Sequence, residues 1–263
     1  MAASDVSKLG KQNISMSAEK TATLMKRLYR DRVDGTTEFY RLIQRSLQPD
    51  FNVLDLGCGF GRTETDLRAK ARLVVGCDLG EDVKENYFVG ARTQGSGYNL
   101  PFSDSVFDVI IMDYVLEHLE FPDKCASELF RVLRPEGKLF VRTPNLFHYV
   151  SLISYVTPHS FHRKAVQWIG QSPELHPFET YYRVNTCKAA RRCFESAGFS
   201  TKEIRMVEKE PTYLVFARSA FLLGYGYERL VNKSNWFAQL RSNIFACFAK
   251  PGESQREVEG GGS

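Results

Sequence analysis

Short apolar runs alternate along the chain with segments in which apolar residues recur every three or four positions. The apolar runs predict strands at residues 53–56, 72–78, 107–113, 137–143, 199–207 and 244–249. Strands that alternate with helices are typical of proteins in which right-handed crossovers build a mostly parallel sheet. The pattern therefore predicts an α/β fold.

The segments between these runs predict helices. Two amphipathic helices are expected within residues 17–48, where Gly35 ends the first of them. Further helices are expected at residues 63–69, 122–133 and 186–197. Asn185 is predicted to cap the last helix, because asparagine is a favoured N-cap residue.

Aromatic residues are concentrated in two windows. Residues 145–184 hold eight aromatics and residues 211–250 hold nine, against 33 in the whole chain. We interpret the windows as insertions at 145–184 and 211–242 into a single domain of residues 1–250, whose core is 51–143. The tail at 251–263 has no aliphatic cluster and is predicted to be disordered.

Charge and cysteine use limit the possible functions. The net charge is +4, and residues 211–250 alone carry +4. Nucleic-acid binding is not expected, because it needs a broader basic surface. The six cysteines show no metal-ligand spacing, so free thiols in a reducing compartment and no metal are expected. No apolar segment suits a secretion signal or a membrane span, which predicts a cytoplasmic protein.

A glycine-rich turn follows the first predicted strand in the sequence DLGCGFG, residues 55–61. Its glycines allow backbone conformations that other residues avoid, and they allow a ligand to approach the main chain. The spacing is GxGxG, because Arg62 stands where a dinucleotide-binding turn has glycine. A ligand-binding turn is the interpretation favoured over a plain tight turn.

Asp78 ends the second predicted strand, 21 residues after Gly57. An acid at this place accepts hydrogen bonds from the hydroxyl groups of a ribose. The alternative is an ordinary surface aspartate. The sequence therefore predicts a nucleoside-containing ligand at the carboxyl ends of the strands.

This order of motifs resembles the class I S-adenosylmethionine-dependent methyltransferases and, within them, the type 11 methyltransferase domain. The similarity runs through VLDLGCGFG, the strand ending at Asp78, NLPFSDSVFDVIIMDYVLEHL and ELFRVLRPEGKLFVRTPN. The resemblance implies a Rossmann-like, seven-stranded, mostly parallel sheet with helices on both faces and an antiparallel last strand. It also implies S-adenosyl-L-methionine as the cofactor.

By resemblance, the glycine turn borders the amino-acid part of the cofactor, Asp55 orients the turn, Asp78 binds the ribose and Leu79 packs beside the adenine. The predicted cofactor-binding residues are Asp55, Gly57, Cys58, Gly59, Gly61, Asp78, Leu79, Ser96, Gly97, Tyr98, Asp113, Tyr114 and Val115.

Two of these positions leave alternatives open. Ser96 stands where the family commonly has an acid that contacts the adenine amine. Either its hydroxyl accepts that hydrogen bond, or the backbone around Gly97 and Tyr98 makes the contact. Asp113 either lines the cofactor pocket or hydrogen-bonds loop backbone.

A methyl acceptor that carries a hydroxyl group needs a base, and histidine is the usual candidate. The candidate catalytic residues are His118, His159 and His162, and capping or loop-fixing roles are the alternative for each. In the family, segments after the fourth and fifth strands face the methyl group, so residues 145–184 are the expected substrate lid. The candidate substrate-binding residues are His176, Tyr181, Tyr182 and Arg183.

The predicted function is O-methylation of a hydroxyl group on a small molecule, sugar or glycolipid. The alternatives are N-methylation of a small molecule and a protein that binds the cofactor without catalysis. Residues 219–248 combine apolar residues at helical spacing with arginine and lysine. This stripe either packs on the sheet or a second subunit, as in a homodimer, or contacts a membrane surface.

Overall fold

The computed structural model describes residues 19–156, 179–209, 211, 214 and 217–252. The chain forms two compact units. We call the first the sheet unit; it comprises Thr36–Leu146, Thr180–Met206 and Asn243–Ser263. The second, the helical unit, comprises Met1–Gly35, Phe147–Glu179 and Val207–Ser242. The two predicted insertions and the N-terminal segment thus contribute to one unit.

The sheet unit is built on a seven-stranded sheet. In chain order the strands are β1 Asn52–Leu56, β2 Leu73–Asp78, β3 Ala91–Gln94, β4 Phe107–Asp113, β5 Leu133–Pro144, β6 Ser200–Val207 and β7 Asn243–Ala249. Their order across the sheet is β3-β2-β1-β4-β5-β7-β6. The strands from β3 to β5 pair in parallel, whereas β7 is antiparallel to β5. The predicted Rossmann-like α/β fold is confirmed.

Five α-helices have both ends within the described residues. They are α1 Gly35–Gln44, α2 Pro122–Val132, α3 Tyr149–Val156, α4 Cys187–Ser196 and α5 Arg218–Lys233. Residues 19–28 are also helical. Short 3-10 turns occupy Thr63–Thr65, Glu81–Glu85, Leu116–His118 and Asn235–Leu240.

The helix predicted at residues 63–69 is wrong, since only the turn Thr63–Thr65 is helical there. Side chains satisfy the local backbone in its place. Thr65 Oγ1 accepts the Arg62 N–H at 3.0 Å, and Asp66 accepts the Arg68 N–H at 3.1 Å and also pairs with its guanidinium. Such local hydrogen bonds compete with helix formation.

Two boundaries and one strand also differ from the sequence prediction. Gly35 begins α1 and does not end the preceding helix. Thr186, not Asn185, caps α4, because its side chain accepts the Ala189 N–H. Strand β3 was not predicted, since its four residues alternate between half-buried and exposed positions without an apolar run.

The main apolar core lies on one face of the sheet, under α2 and α4. It joins inward side chains of the central strands to helix residues, for example Ile110 and Met112 to Leu129 and Phe194. Phe39 of α1 is also fully buried and its ring contacts Phe245 of β7, with 5.2 Å between the centroids.

The helical unit has a buried acid at its centre. Glu228 on α5 accepts hydrogen bonds from Tyr29 Oη at 3.2 Å, Arg32 Nη1 at 2.9 Å and Asn232 Nδ2 at 2.8 Å. The Tyr29 ring also packs edge-on against Tyr225 at 5.9 Å. A buried carboxylate is stable only when paired and hydrogen-bonded, and Glu228 meets both conditions.

Among the helices that the structure describes, none combines the length and the apolar character needed to cross a membrane.

Near the C-terminus, Gly252 is still buried. Residues 253–263, most of the predicted disordered tail, lie outside the described residues.

Candidate active site

Three glycines shape the turn after β1. Gly57, Gly59 and Gly61 have φ angles of 74°, 46° and 68°, in the left-handed region that glycine adopts without steric cost. A methyl group on Gly57 or Gly61 would overlap Val115 or Asn86, respectively, whereas nothing lies within 4 Å of the corresponding position on Gly59. The turn is packed at both ends and open at its centre, where a ligand can approach the backbone.

Asn86 holds this turn through hydrogen bonds from its side chain to the turn backbone, and the sequence analysis missed it. Its side chain is fully buried, and its Nδ2 donates to the carbonyl oxygens of Cys58 at 3.3 Å and Gly59 at 3.1 Å. Burial is the main cause that raises the pKa of the Cys58 thiol to about 12. Cys58 is therefore a protonated, unreactive thiol at neutral pH.

Asp78 joins the end of β2 to the glycine turn. Its buried carboxylate accepts the Gly59 N–H at 2.9 Å and the Gly80 N–H at 2.8 Å. Each oxygen keeps a second lone pair for a ligand hydroxyl. Next to these residues in sequence, the apolar side chains of Phe60 and Leu79 are 55% and 57% exposed, which leaves them free to cover an apolar group.

Asp55 lies buried on β1, just before the turn. Burial, followed by the charges of Asp113 and Asp78, raises the pKa of its carboxyl to about 8, against the opposing effect of Arg62. Since like charges nearby disfavour ionisation, a cation bound among these acids would stabilise the carboxylate. The site therefore favours a positively charged ligand.

The segment Ser96–Tyr98 lies against the end of β1. A methyl group on Gly97 would come within 3.3 Å of Leu56 and 3.1 Å of Cys125. Ser96 Oγ accepts the Tyr98 N–H at 3.2 Å, and Tyr98 Oη accepts the Glu120 N–H at 2.9 Å. These bonds fix the backbone that is expected to reach the adenine.

Asp113, at the end of β4, forms a bidentate ion pair with Arg142 of β5. The Arg142 Nε and Nη2 atoms donate to the two carboxylate oxygens at 2.5 and 2.6 Å, and the Arg142 side chain is 2% exposed. The partner of Asp113 is therefore a side chain, not the loop backbone considered above. Arg142 was missed by the sequence analysis, and the available signal was a charged residue directly after the apolar run at residues 139–141.

Tyr114 follows with a φ of 58°, which is uncommon for a residue with a Cβ atom. Its backbone N–H donates to the Arg142 carbonyl at 2.9 Å, and its hydroxyl donates to Asn243 Oδ1 at 2.8 Å. The Arg142 guanidinium lies 4.6 Å from the centre of its ring. These contacts hold the strained residue in place and direct Val115 towards Gly57.

A buried polar network lies next to His118. Thr143 Oγ1 donates to Glu117 Oε2 at 3.0 Å, and Asn185 Nδ2 donates to Thr143 Oγ1 at 2.6 Å. Burial is the main cause that raises the pKa of Glu117 to about 8. The Glu117 carbonyl also accepts the N–H groups of Tyr181 and Tyr182 at 2.8 and 3.2 Å. The network connects β4 and β5 to a segment that carries predicted substrate-binding residues.

The predicted catalytic and substrate-binding residues are only partly described. His118 is half-buried at the end of the turn Leu116–His118, Tyr181 and Tyr182 are half-buried, and Arg183 is exposed. His159, His162 and His176 lie outside the described residues. The roles assigned to all of them remain predictions.

The helical unit contains a separate buried pair. His148 Nε2 lies 3.8 Å from Glu208 Oε2, too far for a hydrogen bond, and it has no hydrogen-bond partner among the residues that the structure describes. Burial lowers the pKa of His148 to about 4 and raises the pKa of Glu208 to about 8. Both side chains are therefore neutral at pH 7.

Comparison with known proteins supports the same interpretation of the sheet unit. Residues 54–141 match the family model described as a methyltransferase domain, Methyltransf_11. The chain is 31% identical over 169 residues to a "Probable S-adenosylmethionine-dependent methyltransferase" of Mycolicibacterium smegmatis, covering 63% of this chain and 57% of that protein.

Two further relatives carry more specific names. A ubiquinone/menaquinone biosynthesis C-methyltransferase of Vibrio campbellii is 35% identical over 36% of this chain and 41% of its own length. A ubiquinone biosynthesis O-methyltransferase of Parvibaculum lavamentivorans is 26% identical, covering 68% of this chain and 71% of that protein. The chain therefore spans about half the length of the Mycolicibacterium smegmatis and Vibrio campbellii proteins, at 57% and 41% respectively.

Solved structures share the fold at low sequence identity. A SAM-dependent methyltransferase from Methanosarcina mazei matches with a TM-score of 0.54 at 18% identity, over 81% of this chain and 98% of its own. The cyclase SpnF matches with a TM-score of 0.53 at 15% identity, over 82% of each chain. Over residues 54–141 the chain thus matches the methyltransferase domain family, and its strand order and glycine turn agree with that match.

Proposed function

We propose that this protein transfers a methyl group from S-adenosyl-L-methionine to a hydroxyl group of a small molecule, sugar or glycolipid. The observation that carries the proposal is the pairing of an open glycine turn with Asp78, which accepts the Gly59 N–H at 2.9 Å. This pairing puts a carboxylate beside the open centre of the turn, which supports the proposed role of Asp78 as the acceptor for ribose hydroxyls.

The residues present fit the cofactor. Gly57, Gly59 and Gly61 would border its amino-acid part, and Asp78 would bind the ribose hydroxyls. Leu79, an exposed apolar side chain beside Asp78 in sequence, would cover the adenine. Asp78 supplies negative charge suited to a ligand with a net positive charge, and binding of such a ligand would favour ionisation of the neighbouring Asp55. When bound, the cofactor supplies a methyl group that is already activated by attachment to a sulfonium sulfur.

The chain's own contribution is therefore mainly orientation. The protein would hold the acceptor in line with the methyl group, so that the two reactants are already oriented when they react. The loss of translational and rotational freedom then occurs on binding, which lowers the activation barrier of the transfer step. The Glu117 network supports this role, since it fixes the backbone of Tyr181 and Tyr182 through the Glu117 carbonyl. For a hydroxyl acceptor, His118, His159 and His162 are the proposed bases.

Other reactions remain as competing proposals. The relatives include both a C-methyltransferase and an O-methyltransferase, and N-methylation uses the same cofactor geometry. The cyclase SpnF shares the fold, so fold alone does not establish methyl transfer. O-methylation is favoured by the histidine-rich lid segment, where four of the five histidines occur.

Incubation of the full chain with methyl-labelled cofactor and panels of phenols, sugars, glycolipids and amines tests the proposal. We expect label to enter a hydroxyl-bearing acceptor, and NMR of the product to show an O-methyl group. Histidine to alanine changes at His118, His159 and His162 should include one that lowers kcat at least 100-fold. Label on carbon or nitrogen, or normal turnover in all three variants, would contradict O-methylation with a histidine base.

A further inference from the structure

The solvent-facing side of α5 is apolar. Leu222 and Leu230 are eight residues apart on one face, and Leu223, with 76% of its surface exposed, lies beside them. On the same face, Gly226 lies between these leucines and Ser219 lies one turn before them, and both are exposed. Such a continuous leucine surface is unusual for a helix that faces only water.

The opposite face of α5 is already used for packing. Phe221, Gly224, Glu228 and Val231 are its buried residues. A methyl group on Gly224 would come within 2.7 Å of Pro211, so this face is closely packed. The exposed leucines are therefore additional to the face that holds the helix in the helical unit.

The exposed charged side chains of α5 are all positive. Arg218 and Lys233 are exposed at the two ends of α5. Glu228 is the only acid between residues 217 and 242, and it is buried and bonded to Tyr29, Arg32 and Asn232. The leucine face is thus bordered by cations and no exposed carboxylate of this segment.

Trp236 is a further exposed apolar side chain, located just after the end of α5. It lies in the 3-10 turn Asn235–Leu240, and 86% of its surface is exposed. Tryptophan favours the boundary between water and lipid, because its ring is apolar and its N–H is polar. Residues 243–248 do not belong to this surface, since they form the buried strand β7.

We propose that the surface formed by Leu222, Leu223, Leu230, Trp236, Arg218 and Lys233 docks on an anionic lipid bilayer. Leucine and tryptophan would enter the interface, while the cations contact lipid phosphates. A second copy of the chain is a poorer partner, because a twofold contact would bring the same cations together without acids to pair with them. The inference is independent of the methylation proposal.

The chain has two tryptophans, so the Trp168→Phe variant reports on Trp236 alone. With vesicles of phosphatidylcholine and phosphatidylglycerol, we expect co-sedimentation and a blue shift of Trp236 emission. Both should weaken in pure phosphatidylcholine and at high salt, because counter-ions screen the attraction.

Two sets of variants separate the contribution of the leucines to vesicle binding from that of the cations. Changing Leu222 and Leu223 together to Asn should lower the vesicle partition coefficient at least tenfold. Lys233→Glu should lower it about fivefold or more in anionic vesicles only. Leu73→Asn, an exposed leucine at the start of β2 in the sheet unit, should have no effect. Circular dichroism melting confirms that each variant is folded.

Three results would overturn the proposal. They are absence of sedimentation with anionic vesicles, equal loss of binding in Leu73→Asn, and a solution dimer by light scattering that only the leucine variants dissociate.

Discussion

Arg142 on β5 holds Asp113 at the end of β4 through two hydrogen bonds from guanidinium to carboxylate, at 2.5 and 2.6 Å. Arg142 also donates to Thr36 Oγ1 at 3.0 Å and lies against the rings of Phe39 and Tyr114. One buried cation therefore connects two central strands, the N-terminal part of the sheet unit and the strained residue beside the glycine turn.

Removing one partner of this pair leaves the other charge buried without compensation. We expect Asp113→Ala to lower the free energy of unfolding by about 3–5 kcal/mol, measured by urea denaturation at pH 7. Lys84→Ala breaks the exposed pair with Glu81 and should change stability by less than about 1 kcal/mol. Equal effects of the two substitutions would show that the Asp113–Arg142 pair has no special structural role.

The glycine turn gives two alanine variants with different expected defects. Gly57→Ala forces a methyl group into Val115 and should lower the melting temperature by several degrees. Gly59→Ala has open space around its methyl group and bears only the backbone strain, about 1 kcal/mol. It should remain folded yet lose cofactor affinity at least tenfold, measured by calorimetry. Unchanged cofactor affinity in folded Gly59→Ala would contradict close approach of the ligand at this position.

Glu117 tests whether a buried carboxyl is held in its neutral form. Because burial raises its pKa to about 8, glutamine closely imitates the species present at pH 7. Glu117→Gln should therefore cost less than about 1 kcal/mol, whereas Glu117→Ala should cost about 2–4 kcal/mol by leaving a cavity and removing the acceptor of the Thr143 O–H. Chemical denaturation of both variants measures the difference, and similar losses in the two would argue against a neutral Glu117.

Stability should fall as pH rises from 6.5 to 8. The folded-state pKa values of Asp55 and Glu117 are raised to about 8, from ordinary values of 3.8 and 4.5. The folded chain therefore keeps protons that the unfolded chain has already released, and this advantage is lost as pH approaches 8. The loss should be on the order of 1–2 kcal/mol per carboxyl across this window.

His148 affects the pH dependence of stability only below this window, because its pKa is 6.5 in the unfolded chain and about 4 in the folded chain. Denaturation at several pH values should show a shallower slope for Asp55→Asn than for the unmodified chain. Asp66→Asn, a change at a half-buried acid whose pKa is lowered by its hydrogen bond with Arg68, should leave the slope unchanged. A slope that is flat in the unmodified chain would contradict the raised carboxyl pKa values.

The sequence predicted the parts of the site that depend on local rules. A glycine run between a buried strand and a polar segment indicates a ligand turn, and Asp78 follows at the spacing expected of a ribose-binding acid. Arg142, Asn86 and Asn185 could not be placed in this way, because the side-chain hydrogen bonds that bring them into the site reach partners such as Gly59, Thr36 and Thr143, which lie 27–106 residues away in the chain.

Helix prediction failed where side chains satisfy the backbone locally, as Asp66 does around residues 63–69. The short strand β3 was missed because it lacks an apolar run. Grouping of the N-terminal, lid and C-terminal segments into one unit depends on contacts such as Tyr29 with Glu228, for which apolar periodicity gives no indication. Three residues predicted to act on or bind the acceptor, His159, His162 and His176, lie outside the described residues.

Titration calorimetry of the full chain with S-adenosylhomocysteine tests the central claim most directly. We expect saturable one-to-one binding that Asp78→Asn weakens about 10- to 100-fold, because hydrogen bonds to a charged group contribute about 1.5–3 kcal/mol. Asp66→Asn serves as the matched control and should bind as the unmodified chain does. No saturable heat with the unmodified chain, or equal affinity in folded Asp78→Asn, would contradict the assignment of this site to the adenosyl cofactor.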